Sequence, residues 1–129
     1  MENPVAQRIL LVEDTPNLII SIQMCLEKEG FEVNIATDGI TAIDLAFKAP
    51  PDLILLDLIL PKLDGYLVCG ALKADERTRS IPVVVISALA QHKYIKRAME
   101  LGVAAYLVKP FQPRELAETI KRVMMKMKG

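Results

Sequence analysis

The sequence has no excess of charge of either sign. It contains 16 lysines and arginines against 16 aspartates and glutamates, so the formal net charge is zero. A basic excess would point to nucleic acid, and an acidic tail would point to basic partners; neither is present. We therefore expect no direct contact with nucleic acid.

Long hydrophobic runs are also missing. No uninterrupted apolar stretch approaches the ~18 residues that a membrane-spanning helix requires, and the N-terminal segment MENPVAQR is polar, without an apolar signal core. The run closest in character, LILLDLIL, has Asp57 at its centre. We expect a cytoplasmic protein that does not enter the membrane.

Cysteine and histidine are scarce. Cys25 and Cys69 stand in apolar surroundings without CxxC or Cys/His spacing, so we interpret them as reduced core residues rather than a disulfide or a metal site. His92 is the single histidine, and no metal-like cluster lies beside it. We interpret His92 as a surface residue.

The chain does have enough apolar residues for a core. Its 129 residues are 52% hydrophobic and 25% charged, which is typical of an ordered globular domain. Internal repeats, low-complexity tracts and long linkers are absent from the sequence. We predict one domain over residues 1–129, with its core at about 8–127.

Short apolar runs alternate with amphipathic stretches. The runs are rich in Val, Ile and Leu and largely unalternated, as expected for strands covered on both faces. Five βα units in succession predict an α/β protein with one parallel sheet and helices on both faces. The predicted strands are Ile9–Val12, Phe31–Ala36, Leu53–Asp57, Val83–Ile86 and Ala104–Val108.

Capping and stop signals delimit the predicted helices. Thr15 and Asp38 are candidate N-caps of the first two helices, and Gly30 and Gly102 are candidate stops of the first and fourth. The apolar patterns are Leu18, Ile22, Cys25 and Leu26 in the first helix, Ile40, Ile43 and Phe47 in the second, and Leu116, Ile120, Val123, Met124 and Met127 on one face of the fifth. The third helix is predicted from about Asp64 to Ala74 and the fourth from about Gln91 to Leu101.

Charged and hydroxyl side chains stand where the strands end. Glu13 and Asp14 follow the first strand, Asp57 ends the third, Ser87 follows the fourth, and Lys109 ends the fifth. Ligands of open parallel sheets bind at this edge. Three neighbouring carboxylates repel one another unless a cation lies among them, and oxygen ligands suit Mg²⁺.

The same residues suggest phosphoryl chemistry. Carboxylates form aspartyl phosphates, so Asp57 is the candidate nucleophile, while Lys109 and Ser87 could contact phosphoryl oxygens. Each residue alone has a simpler interpretation. Adjacent acids are often a solvated loop or a helix N-cap pair, a lone Ser is commonly a turn residue, and a lone Lys is commonly a surface residue.

Four segments, LLVEDTP, DLILLDLILPKLDG, PVVVISA and AYLVKPF, carry a resemblance. Together they closely resemble the receiver domain of two-component response regulators, over about Arg8 to Met127. The resemblance implies a doubly wound, flavodoxin-like sheet of five parallel strands in the order 2-1-3-4-5. It also implies that Asp57 accepts a phosphoryl group from a histidine on a kinase or a histidine phosphotransfer protein, and that a downstream protein target or effector domain reads the result.

The resemblance also implies roles for single residues. Mg²⁺ (or Mn²⁺) would be held by Asp14 and Asp57 directly, by Glu13 through water, and by the backbone carbonyl of Ile59. The phosphoryl group would be contacted by Ser87, the backbone of Ala88, and Lys109. Ser87 and Tyr106 would form the switch, although a strand aromatic is usually mere packing, and the Lys109–Pro110 bond would be cis.

Two departures and one surface complete the expectations. Ile59 and Leu89, two residues beyond Asp57 and Ser87, are apolar, so we expect slow loss of the phosphoryl group. Ile20 and Met24 on the first helix form an apolar pair that could dock the histidine-bearing partner, with partial burial against the fifth helix as the alternative.

Two other functions remain open: a metal-dependent phosphohydrolase, disfavoured because Ile59 replaces the usual acid, and a binding module that is never phosphorylated. We expect a signalling domain rather than a turnover enzyme.

Overall fold

The structure, a computed structural model, describes residues 5–128. Residues 1–4 and 129 of the predicted domain lie outside this range, and so does the start of the segment MENPVAQR. Within it, strands and helices alternate as predicted. The strands are β1 (Arg8–Val12), β2 (Glu32–Ala36), β3 (Leu53–Asp57), β4 (Val83–Ser87) and β5 (Ala105–Val108). The helices are α1 (Pro16–Lys28), α2 (Gly39–Lys48), α3 (Gly65–Ala74), α4 (His92–Glu100) and α5 (Pro113–Lys128).

The five strands form one parallel sheet in the order β2-β1-β3-β4-β5. In the middle of the sheet, Leu11 of β1 stands opposite Ile35 of β2 and Leu55 of β3. The chain passes from β1 to β2 at one edge of the sheet, then returns to β3 on the other side of β1 and continues through β4 to β5 at the opposite edge. This reversal of direction makes the sheet doubly wound. The predicted α/β, flavodoxin-like architecture is confirmed.

Each central strand buries both of its faces. Because side chains alternate along a strand, Ile9 and Leu11 contact one layer while Leu10 and Val12 contact the other. Helices α1 and α5 cover the first face, and α2, α3 and α4 cover the second. This double coverage explains why the strands appear in the sequence as continuous apolar runs.

Most predicted helix ends are where the sequence placed them. Gly30 and Gly102 follow α1 and α4 with φ of 93° and 90°, a conformation that glycine adopts without strain. Oδ1 of Asp38 accepts a hydrogen bond of 2.8 Å from the backbone N–H of Thr41, which caps α2. Thr15 occupies the N-cap position of α1, but its side chain makes no capping bond.

The core differs from the predicted faces in a few places. Met127, predicted on the same face of α5 as the buried Leu116 and Ile120, is 56% exposed, and Ile40 of the α2 pattern is 57% exposed. Helix α2 instead approaches the sheet through Gly39, Ala42 and Ala46, all buried. Gly39 also lets α2 approach α3 closely, since a Cβ there would lie 2.7 Å from Cγ2 of Val68 in α3.

The cysteine and histidine predictions mostly agree with the structure. Both cysteines are free, and Cys69 is buried as predicted, whereas Cys25 is only half-buried. His92 is exposed at the start of α4, which confirms its assignment to the surface. Over residues 5–128, none of the helices combines the length and the hydropathy that crossing a membrane demands.

Candidate functional site

Three carboxylates meet at the carboxyl ends of β1 and β3. These strands are parallel neighbours, so Asp57 at the end of β3 lies beside Glu13 and Asp14, which follow β1. One carboxylate oxygen from each residue lies within 4.8 Å of the others. Glu13 is completely buried and Asp57 is 4% exposed, whereas Asp14 is exposed to solvent.

The ammonium of Lys109 lies between the two buried carboxylates. Its Nζ donates hydrogen bonds of 2.8 Å to Oε1 of Glu13 and 2.7 Å to Oδ2 of Asp57. Burial lowers the pKa of Lys109, but these two hydrogen bonds and the two negative charges outweigh burial and leave the pKa raised. Lys109 therefore carries a positive charge that offsets part of the repulsion among the acids.

The remaining oxygens of the cluster differ in how far they are already engaged. Oε2 of Glu13 accepts hydrogen bonds from the backbone N–H groups of Asp14 (3.1 Å) and Thr15 (3.2 Å). Oδ1 of Asp57 accepts one of 3.0 Å from the N–H of Ile59, whose side chain is 56% exposed. Asp14 accepts no hydrogen bond from the described residues, so its carboxylate is the least engaged of the three.

The segment after β4 brings a hydroxyl and an aromatic ring to the same edge. Ser87 is fully buried, and its Oγ accepts a hydrogen bond of 3.1 Å from the N–H of Leu89. Tyr106 of β5 donates its hydroxyl to the carbonyl of Leu89, 2.6 Å away. Ala88, which lies between Ser87 and Leu89 in the chain, is exposed. Burial, above all, raises the pKa of Tyr106, so its hydroxyl remains a donor.

The other predicted site residues lie as follows. The peptide bond between Lys109 and Pro110 is cis. Ile20 and Met24 are 55% and 67% exposed on α1, so neither is buried against α5. The structure thus brings Glu13, Asp14, Asp57, Ser87 and Lys109 together at one edge of the sheet, while Ile20 and Met24 form a separate surface.

Sequence reasoning missed the contacts of Tyr66. This residue of α3 is 6% exposed, and its hydroxyl donates a hydrogen bond of 3.0 Å to the carbonyl of Tyr94 in α4. The guanidinium of Arg97 lies 4.0 Å from the centre of the Tyr66 ring. The only signal in the sequence was the low charge of the segment YLVCGALK, which does not indicate a link between two helices.

Fold and site together define a class of protein. It is a doubly wound α/β domain with a cluster of carboxylates and one lysine at the carboxyl edge of its sheet. Such a cluster can hold a hard divalent cation, and the lysine can pair with an anion beside it.

Comparison with known proteins gives the family. Residues 9–121 match the model of the response regulator receiver domain, so the chain belongs to the receiver domains of two-component signalling. Among curated relatives, it is 40% identical over 117 residues to the DNA-binding dual master transcriptional regulator RpaA of Synechocystis sp. (strain PCC 6803), covering 91% of this chain and 48% of that protein. The chain spans about half the length of the curated relatives it matches.

Solved structures give the same answer. The receiver domain of the sensor histidine kinase PA1611 from Pseudomonas aeruginosa PAO1 is 35% identical, with a TM-score of 0.87 over 94% of this chain and 99% of that one, and holds a magnesium ion in its active site cleft. The chemotaxis response regulator CheY4 of Vibrio cholerae is 27% identical, with a TM-score of 0.87 over 92% of this chain and 99% of that one. The predicted family is confirmed.

Proposed function

We propose that this receiver domain accepts a phosphoryl group on Asp57 from a phosphorylated histidine of a kinase or a histidine phosphotransfer protein. A carboxylate oxygen of Asp57 attacks phosphorus, the new P–O bond replaces the P–N bond, and the histidine nitrogen takes up a proton. The observation that carries the proposal is the placement of Asp57. It is a nearly buried carboxylate, 2.7 Å from an ammonium and within a cluster of acids, at the edge where parallel sheets bind ligands.

The donor set at the site fits a divalent cation such as Mg²⁺ or Mn²⁺. The carboxylates of Glu13, Asp14 and Asp57 provide clustered oxygens, and no softer ligand is among them. We assign Asp14, Asp57 and the carbonyl of Ile59 to direct contact. Glu13 is assigned to contact through water, as the receiver family implies; it accepts three hydrogen bonds from the described residues, one more than Asp57. A bound Mg²⁺ supplies positive charge that offsets the acids and the phosphoryl oxygens.

The neighbouring side chains would stabilise the transferred group. Lys109 already pairs with Asp57, so its ammonium is in place to contact a phosphoryl oxygen. Ser87 accepts from Leu89 through its oxygen, and a hydroxyl can also donate its hydrogen, here to a phosphoryl oxygen. The backbone N–H of Ala88 is the third proposed contact.

The proposed switch couples Ser87 to Tyr106. Both side chains contact Leu89, one through its N–H and the other through its carbonyl. Movement of Ser87 toward a phosphoryl group would therefore move Leu89, whose carbonyl accepts the Tyr106 hydroxyl. The added charge would change the surface formed by α4, β5 and α5, which a downstream protein reads.

The proposed partners follow from the family and from one surface. Ile20 and Met24, exposed and four residues apart on α1, are proposed to dock the histidine-bearing partner. The family implies a cytoplasmic setting. We propose no direct nucleic-acid contact for residues 1–129 alone; the relatives whose names include "DNA-binding" are about twice as long.

A small phosphodonor tests the proposal. Incubation with Mg²⁺ and acetyl phosphate should add one phosphoryl group, detected by mass, and Asp57→Asn should abolish the addition. Asp44→Asn, which changes an exposed acid paired with Lys48 on α2, is the matched control and should label normally. Absence of labelling in wild type, or labelling of Asp57→Asn, would overturn the assignment. Steady turnover of phosphate esters would favour the phosphohydrolase alternative instead.

A further inference from the structure

Helix α4 is attached to the rest of the domain by few side chains. Within α4, only Ala98 is buried. Its N-cap residue, Gln91, makes no side-chain capping bond. Apart from Ala98, only half-buried side chains such as Tyr94 pack α4 against the core, so each polar contact matters for the position of the helix.

Tyr66 supplies two of those contacts. Its hydroxyl donates to the carbonyl of Tyr94 in the first turn of α4, at 3.0 Å, and its ring lies under the guanidinium of Arg97 one turn later, at 4.0 Å. Tyr66 is only 6% exposed and the hydrogen bond is partly buried, so its loss would leave the Tyr94 carbonyl with limited access to water.

The base of Tyr66 is fixed close to Asp57. The preceding residue, Gly65, donates its N–H to the carbonyl of Leu58 at 3.0 Å. A Cβ on Gly65 would lie only 2.4 Å from Cα of Leu58 and 2.8 Å from the carbonyl oxygen of Asp57. The start of α3 therefore packs against the backbone of the proposed phosphoryl acceptor, and Tyr66 extends from this fixed point to α4.

Two tyrosines thus contact the chain where it leaves β4 and enters α4. Tyr106 bonds the carbonyl of Leu89, ahead of α4, and Tyr66 bonds the carbonyl of Tyr94, within it. We infer that Tyr66 is a positioning residue that holds α4 in its resting place and so opposes the switch. This inference rests on the proposed function for its regulatory consequence, but not for the contact itself.

Hydrogen exchange of the full, unphosphorylated chain tests the contact. In Tyr66→Phe, exchange of amides in α4 should rise about two- to tenfold, the effect of one lost hydrogen bond, while α1 and α5 stay unchanged. The matched control is Tyr94→Phe, which removes a hydroxyl that makes no hydrogen bond among the described residues, and should leave α4 unchanged. Unaltered α4 exchange in Tyr66→Phe, an equal rise in Tyr94→Phe, or a uniform rise in all helices would overturn the inference.

The rate of labelling tests the regulatory consequence. With Mg²⁺ and acetyl phosphate, Tyr66→Phe should acquire its phosphoryl group about two- to tenfold faster than wild type, because more molecules already hold α4 in the switched position. An unchanged rate despite faster α4 exchange would refute control of the switch by Tyr66. If wild type itself does not label, the proposed function fails, whereas the exchange experiment still decides whether Tyr66 holds α4.

Discussion

Nζ of Lys109 lies 2.7 Å from Oδ2 of Asp57 and also donates a hydrogen bond to the fully buried Glu13. Removing a partner from such a set leaves a buried carboxylate without compensation. We therefore expect Lys109→Met to lower the free energy of unfolding by about 3 kcal/mol in metal-free buffer, and to abolish labelling by acetyl phosphate.

The matched control for Lys109→Met is Lys48→Met. Lys48 pairs with Asp44 at 3.0 Å, but its side chain is 72% exposed, so its loss should cost less than about 0.5 kcal/mol. Urea unfolding of the two variants measures the difference. Equal stability of Lys109→Met and wild type would show that Glu13 and Asp57 do not depend on the lysine.

Asp75 gives the domain a specific response to acid. Hydrogen bonds from the side chain of Arg77 and then from its backbone N–H lower the pKa of Asp75 to about 2. A lowered pKa means that the ionised carboxylate favours the folded state. This contribution is complete above the ordinary Asp value of about 3.9 and is lost as the pH falls through about 2.

The measurement is the difference in unfolding midpoint between wild type and Asp75→Asn as a function of pH. The difference should be constant above about pH 5 and shrink between about pH 4 and pH 2. In an Arg77→Met background, the same substitution should show much less pH dependence, because the guanidinium is gone. A pH-independent difference in the presence of Arg77 would contradict the assignment.

The strands and their order of alternation with helices could be predicted because each is marked by a local sequence pattern that recurs along the chain. Each strand is a run of Val, Ile and Leu, and stops such as Gly30 and Gly102 need a positive φ that glycine supplies. The faces of α2 could not be predicted as well. The position of α2 depends on how closely Gly39 approaches Val68, a long-range contact that hydrophobic periodicity does not contain.

The residues of the candidate site could be predicted from the sequence, but the hydrogen bonds between them could not. The ends of parallel strands meet at one edge, so Glu13, Asp14, Asp57 and Lys109 could be expected together. The sequence did not indicate that Lys109 would bridge Glu13 and Asp57, nor that Glu13 would accept from the backbone at the start of α1. Those details depend on side-chain directions, which spacing alone does not specify.

Two glycines of α3 should respond in opposite ways to alanine. Gly65→Ala places a Cβ 2.4 Å from Cα of Leu58, and backbone cannot move aside cheaply, so we expect a loss of more than about 2 kcal/mol. A Cβ on Gly70 meets nothing within 4 Å, so Gly70→Ala should gain up to about 1 kcal/mol from helix propensity. Thermal and urea unfolding compare the pair. A stable Gly65→Ala, or a destabilised Gly70→Ala, would contradict the packing described for α3.

Ile59 should slow the loss of the phosphoryl group. Its N–H bonds Oδ1 of Asp57, and its side chain and that of Leu89 line one surface cavity of about 660 Å³. An apolar side chain there shields the group and cannot orient a water. Ile59→Asn should therefore lose label several-fold faster than wild type, with the factor of about 10²–10⁴ that a positioned acid or base supplies as an upper bound.

The control for Ile59→Asn is Leu67→Asn. Leu67 is 58% exposed on α3, close to the 56% of Ile59, but it lines a different surface cavity, between α3 and α4. The label on each protein is followed by mass after the phosphodonor is removed. Slower decay in Ile59→Asn than in wild type, or an equal acceleration in Leu67→Asn, would reject the shielding role.

The exposed apolar pair on α1 should matter for a protein donor and not for a small one. Ile20 and Met24 are 55% and 67% exposed, and a docked partner would bury them. The Ile20→Glu, Met24→Glu double variant should slow transfer from a phosphorylated histidine phosphotransfer domain by at least about tenfold. Labelling by acetyl phosphate should stay normal, because the carboxylate cluster is untouched.

The control is Met125→Glu on α5, where Met125 is 72% exposed beside Gly30. Transfer at the wild-type rate in the double variant, or an equal loss in Met125→Glu, would move the docking surface away from α1.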